Sequence, residues 1–281
     1  MVATNRIEVK KTYKLFINGA FPRSESGRVF EVHSKKGEFI ANPCLASRKD
    51  LRDSVTAARA AQHGWAKATA YNRGQILYRI AEMLEGRAEQ CAAEISTTTA
   101  ITPLKAQSMV SEAIDRWVWY AGWSDKLSAV TGATNPVAGP YYNFTIPEPL
   151  GVVVVTASDS FIDFIDAIAA AVVSGNSVIA LVDGGLSVPA MTFAEVLATS
   201  DLPAGVINIL TGSLDELAPW AASHMDVDGF DISAIVKKKR AELKVAGAEN
   251  LKRIYIADGK LTPSRILAFM EQKTVWHTIG V

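Results

Sequence analysis

The sequence predicts an α/β fold organised on a doubly wound parallel sheet, with a small β arm beside it. Three observations carry this. Residues 152–155 are four consecutive valines bounded by Pro149 and Gly151, and an uninterrupted β-branched run of this kind reads as a strand buried on both faces. Residues 177–182 and 206–210 repeat the apolar run. Helical patterns at 161–172 and 189–198 separate the three, and strand, helix, strand, helix, strand is half of a doubly wound domain.

Taken in order, residues 13–17 alternate and run into Asn18-Gly19, a hairpin turn signal; 29–33 and 38–41 continue as short strands, so residues 13–45 read as an antiparallel meander. Ser47 with Asp50 three residues on marks a helix start ahead of 51–68. Residues 72–87 form an amphipathic helix with Ile76, Leu77, Ile80, Ala81 and Leu84 on its buried stripe. Residues 88–98 and 103–126 are two further helices, the second carrying Trp117, Trp119, Tyr120 and Trp123 as core or interface aromatics. A Pro/Gly-rich stretch, 131–147, holds a strand-like piece at 141–146. On the helix at 161–172, Phe161, Phe164, Ile165, Ile168, Ala169 and Val172 share one side, and Gly175-Asn176 ends it. Beyond Gly212 come a helix at 214–223, a strand at 227–232, a basic helix at 235–246, a strand at 251–257, a short helix at 263–272 and a final strand at 273–279.

Composition bounds the function. Apolar residues are 49% and charged residues 21%, ample for a core, while 29 basic residues balance 29 acidic ones. Bulk charge therefore gives no push toward nucleic acid or an anionic membrane. Cys44 and Cys91 make neither a disulfide framework nor a zinc set. No run is long and apolar enough to span a bilayer, and the first residues lack a secretory apolar core, so a reduced, cytoplasmic protein is expected.

A sheet of this kind binds its ligand at the carboxyl ends of its strands. Here Ala157-Ser158-Asp159-Ser160 follows the first strand, with no Gly-rich phosphate turn. With these residues in view, the chain resembles the aldehyde dehydrogenase superfamily over nearly all of residues 13–260. The resemblance rests on Leu15-Phe16-Ile17-Asn18-Gly19, Ala57-Ala58-Arg59-Ala60-Ala61 with Trp65, Tyr120-Ala121-Gly122-Trp123, Glu148-Pro149-Leu150-Gly151-Val152, and residues 171–176 and 202–212. It implies a Rossmann-like dinucleotide-binding domain (1–130 and 148–260) and a β oligomerisation arm (131–147 and 261–281). For the family it implies an NAD(P)-dependent oxidoreductase.

The family's functional positions mostly fail here. After the first strand the family has Pro-Trp-Asn, whose Asn helps hold the oxyanion; this chain has Ser158-Asp159-Ser160. At the end of the second strand a Lys-Pro-Ser-Glu run grips the adenosine ribose; here Leu181 opens the segment, with no polar group. After the fourth strand the family has Phe-Thr-Gly-Ser; here Ile232 takes the glycine's place before Ser233, and a β-branched side chain is expected in the approach to the pyrophosphate. The Glu of Glu-Leu-Gly-Gly-Lys, the general base, is replaced by Ala257. The family then continues into a long catalytic domain with its cysteine nucleophile. This chain passes instead through Leu261-Thr262-Pro263 to residues 271–276, which resemble the family's C-terminal strand, so the catalytic domain is expected to be missing.

Other candidates weigh less. Cys91 lies on a helix and Cys44 in the meander, so burial is the plain reading of both. His33, His63, His224 and His277 are far apart, with no ligand spacing. Asp159, Asp163 and Asp166 fall at helical spacing; capping and first-turn charge is the simpler reading, a metal site the sharper one. Wherever that helix start faces the cleft, a carboxylate about 4 Å from a phosphate costs roughly 4 kcal/mol at an effective dielectric near 20. Lys237-Lys238-Lys239-Arg240 is a basic block that reads as a solvated helix face or as a replacement phosphate grip.

The expectation is thus a subunit without catalysis of its own, with no metal and no cofactor, residual NAD(P) binding being the alternative. Its arm positions, Tyr142, Phe144, Thr274, Val275, Trp276 and His277, are expected to join it to a full-length aldehyde dehydrogenase, or alternatively to a second copy. The strand at 273–279 is expected to lack a partner in its own chain, and unpaired strand edges seek partners.

Overall fold

A computed structural model describes residues 9–99 and 101–280. Residues 1–8, on which the leader reading and the start of the 1–130 assignment fall, lie outside the described residues, as do Ala100 and Val281.

The chain opens with a two-stranded antiparallel pair, β1 (Val32–His33) and β2 (Phe39–Ala41). Four helices follow: α1 (Arg48–Lys67), α2 (Ala70–Glu85), α3 (Ala88–Thr98) and α4 (Pro103–Ala121). Next come a short α5 (Leu127–Thr131) and two strands, β3 (Ala133–Asn135) and β4 (Tyr141–Pro149). The alternating part runs β5 (Val152–Ala157), α6 (Phe161–Val172), β6 (Ser177–Val182), α7 (Ser187–Leu197), β7 (Ile207–Thr211), α8 (Leu214–Ser223), β8 (Gly229–Asp231), α9 (Lys237–Ala248) and β9 (Arg253–Tyr255). Last are α10 (Pro263–Leu267) and β10 (Met270–Thr278).

Strands β7-β6-β5-β8-β9 form one parallel sheet in that order, the doubly wound topology expected, and the winding reverses between β5 and β8. Side-chain alternation divides its core in two. Val153, Val155, Val178 and Ala180 face the layer containing α6, α7 and α2–α4; Val152, Val154, Ile179 and Leu181 face α1 and α8. Local signals set the helix starts. At α1, Ser47 Oγ accepts from the Lys49 and Asp50 N–H groups while Ser47 N donates back to Asp50 Oδ2 at 2.8 Å, a complete capping box. Gly151, at φ +138°, opens β5 where an added Cβ would collide with the Asp228 carboxylate, so only glycine fits.

Three expectations are corrected. The meander across 13–45 reduces to the β1–β2 pair and isolated bridges: Phe16 pairs with Ile209 of β7, covering that sheet edge, because Leu15 and Phe16 are drawn into the two different cores. The helix predicted over 103–126 ends at Gly122 and resumes as α5. The strand at 273–279 does have a partner in its own chain. β10 pairs antiparallel with β4 over nine residues, from Met270↔Pro149 to Thr278↔Tyr141, with β3 on the far side of β4.

In this three-stranded arm, cross-strand partners share a face. One face carries Tyr142, Phe144 and Ile146 opposite His277, Val275 and Lys273. On the other, Asn135 Nδ2 donates to Asn143 Oδ1 at 2.6 Å and Thr145 Oγ1 at 2.9 Å, the Thr145 and Thr274 hydroxyls lie 3.0 Å apart, and Trp276 meets Tyr141 edge-on. The outer edge of β10 is open among the described residues.

Candidate functional site

A cleft of about 440 Å³ lies where the winding reverses, at the carboxyl ends of β5, β8 and β9. The loop after β5 and the start of α6 supply Ser158, Asp159, Ser160 and Asp163; the loop after β8 and the start of α9 supply Ser233 and Lys237; Ala257 comes from beyond β9. The β5 loop turns up into α6 because Ser160 caps that helix, accepting from Asp163 N at 3.2 Å. Thr156 Oγ1 ties the two walls, donating to Asp231 O at 2.9 Å and accepting from Ala234 N at 3.2 Å.

Beneath the cleft runs a buried chain of polar contacts that begins at Ala257. Its N–H donates to Ser233 Oγ at 2.7 Å, and Ser233 Oγ in turn donates to Asp231 Oδ1. Asp231 Oδ2 accepts from Arg265 Nη2 at 3.1 Å; Arg265 Nη1 lies 3.9 Å from Asp166 Oδ2, which also takes Arg116. Burial pushes Asp166 up to about 6 against the pull of Arg116 and Arg265. Burial opposes the Arg265 charge, but Asp231 and Asp166 hold it above its ordinary range. Its Nε has no hydrogen-bond partner among the described residues.

Of the positions singled out in the sequence, Ser158, Ser160, Ser233 and Ala257 line the cleft. Leu181 and Ile232 do not. Both are fully buried in the core between the sheet and α1/α8, so Ile232 turns away from the approach it was expected to obstruct. Asp166, unlike Asp159 and Asp163, does not line the cleft: it points into the protein between two arginines and does not cap α6. The described residues hold no group of three or more His, Cys, Asp or Glu side chains placed to share a metal. In the basic block, Lys239 pairs with Asp215 at 2.6 Å and Arg240 donates to the Ile235 and Ser233 carbonyls at 2.7 Å each, which leaves Lys237 at the cleft without an ion pair among the described residues. Cys44 and Cys91 are buried away from the cleft, and burial pushes the Cys91 thiol up to about 12.

Sequence reasoning missed Arg265. An arginine directly before the apolar run Ile266-Leu267-Ala268-Phe269, and a second aspartate, Asp166, deeper in the apolar helix 161–172, were the signals available.

These residues fit a dinucleotide poorly. Leu181, in β6 where the resemblance implies the ribose grip begins, is turned into the core, and nearby Asp183 already accepts from Gly184 N at 2.6 Å and Leu214 N at 3.3 Å. Asp159 and Asp163 put two carboxylates on the cleft lining, which would repel a phosphate placed beside them. Ala257 offers no group that moves a proton.

A profile of the aldehyde dehydrogenase family matches residues 21–268. Retinal dehydrogenase 2 of Homo sapiens is 31% identical over 273 residues, covering 94% of this chain and 52% of its own length. Cytosolic 10-formyltetrahydrofolate dehydrogenase of Mus musculus is 29% identical over 276 residues, covering 95% of this chain and 30% of its own. The NAD+ complex of an aldehyde dehydrogenase from Bacillus cereus superposes with a TM-score of 0.81 at 25% identity, over 88% of this chain and 50% of that one. No helix among the described residues is long and apolar enough to cross a membrane.

Proposed function

Because the chain belongs to the aldehyde dehydrogenase family while spanning about half the length of the retinal dehydrogenases it matches, we propose that it serves as a non-catalytic subunit. It docks through its β arm on a full-length NAD(P)-dependent aldehyde dehydrogenase and organises or regulates that enzyme. One observation carries this reading: the arm is complete as a sheet, yet β10 keeps an open outer edge beside exposed Tyr142, Ile146, Val275 and Trp276. Between β9 and β10 stands only the five-residue α10, where the resemblance implies a catalytic domain. The cleft supports the same reading, since no cysteine lines it and Ala257 stands where the resemblance implies the general base. The subunit works without a bound dinucleotide, in the reduced cytoplasm, where two free buried thiols suit it.

Purification of the tagged chain from its native source, with mass identification of what accompanies it, tests the proposal. A full-length aldehyde dehydrogenase in stoichiometric amount is expected; a monomer free of any dehydrogenase would count against it. A second reading, a relic that still holds NAD(P), draws on the intact sheet and its cleft. Calorimetry with NAD and NADP separates the two.

A further inference from the structure

The cleft has opposite, uncompensated charges on its two walls. Asp159 and Asp163 line the α6 side, and neither has an ion-pair partner among the described residues; Asp159 takes only the Ser158 hydroxyl, at 2.9 Å. Lys237 lines the α9 side, also without an ion pair, at the start of a twelve-residue helix that no side chain caps. The N–H groups of that first turn add positive potential beside the lysine. Two arginines also border the cleft but are engaged by the protein: Arg265, 5% exposed, lies against Asp231 and Asp166, and Arg240 donates to the Ile235 and Ser233 carbonyls.

A purely anionic ligand meets two carboxylates here, and a purely cationic one meets the lysine and the helix start. A molecule charged at both ends satisfies both walls. We propose that the cleft binds a small amino carboxylate, its ammonium between Asp159 and Asp163 and its carboxylate at Lys237 and the α9 N-terminus. The cavity, about 440 Å³, is of a size for such a ligand. This site is independent of assembly through the arm.

The test titrates the full chain with glycine, 4-aminobutyrate and 6-aminohexanoate, by calorimetry and ligand-observed NMR. Butyrate and butylamine are the singly charged controls. One chain length is expected to saturate the protein and to bind about tenfold or more tighter than either control. Lys237→Gln, and separately Asp159→Asn with Asp163→Asn, are each expected to remove that advantage; both change exposed side chains, and circular dichroism verifies the fold. No saturation at millimolar concentration, equal affinity for a singly charged control, or an advantage that survives in both variants would each overturn the proposal.

Discussion

Arg265 Nη2 donates to Asp231 Oδ2 at 3.1 Å, so a side chain from the helix beyond β9 neutralises the last residue of β8 beneath the cleft. Both residues are buried, Asp231 completely. Taking Arg265 away strands a carboxylate in the interior, which costs about 3–5 kcal/mol. Arg265→Met is therefore expected to lower stability to urea by that amount, and combining it with Asp231→Asn to recover much of the loss. If the double variant were as unstable as the single one, the ion pair would not be what was lost.

Asp166 gives a pH signature of defined sign. Its folded value, about 6, lies above the ordinary carboxylate range. Between about pH 4 and pH 6 the folded chain holds a proton that the unfolded chain has released. The stability from this group is present below about pH 4 and is lost as pH rises through about 6, a change of about 3 kcal/mol. Asp166→Asn lacks this step, so the variant gains on the wild type as urea midpoints are compared from low to neutral pH. Parallel curves for the two proteins would refute the shift.

The resemblance implies a glycine where Ile232 stands, yet a small residue there is not expected to reopen the cleft, because the Ile232 side chain is core. Ile232→Ala is expected to cost about 2–5 kcal/mol. Calorimetry should find no gain in NAD affinity; an appreciable gain would contradict the buried placement.

Trp276 distinguishes docking from folding. It is 60% exposed and meets Tyr141 edge-on with ring centroids 5.8 Å apart, a contact worth about 1 kcal/mol to the fold. Trp276→Ala is expected to keep the arm paired but to weaken capture of a full-length aldehyde dehydrogenase about thirtyfold, the scale of an interface hot spot. Undiminished capture would move the docking surface elsewhere.

The parallel sheet was legible because its strands are unbroken apolar runs between clear turns: residues 177–182 and 214–223 coincide with β6 and α8. Ser47 with Asp50 was legible for the same kind of local reason. What lay beyond the sequence was partnership at long range. Asp166 reads as a first-turn acid until α4 and α10 bring Arg116 and Arg265 to it, 50 residues earlier and 99 later in the chain. Ile232 reads as a cleft residue from the resemblance of residues 230–233 to Phe-Thr-Gly-Ser, and only the pairing of β8 with β5 fixes which way it turns. β10 reads as solitary because its partner β4 lies more than a hundred residues back.

The distance between β4 and β10 also bears on how the molecule is made. Thr145 and Thr274, side by side in the finished arm, are 129 positions apart, and everything from β5 to α10 lies between them. Ladders that close so long a loop form late, because the chain must lose that freedom before any bond rewards it. During N-to-C synthesis β4 has only the three-residue β3 beside it until the final strand emerges. A ribosome-bound chain halted before residue 270 would present a half-finished ribbon, and that interval is when a chaperone or a neighbouring polypeptide can claim the vacant side.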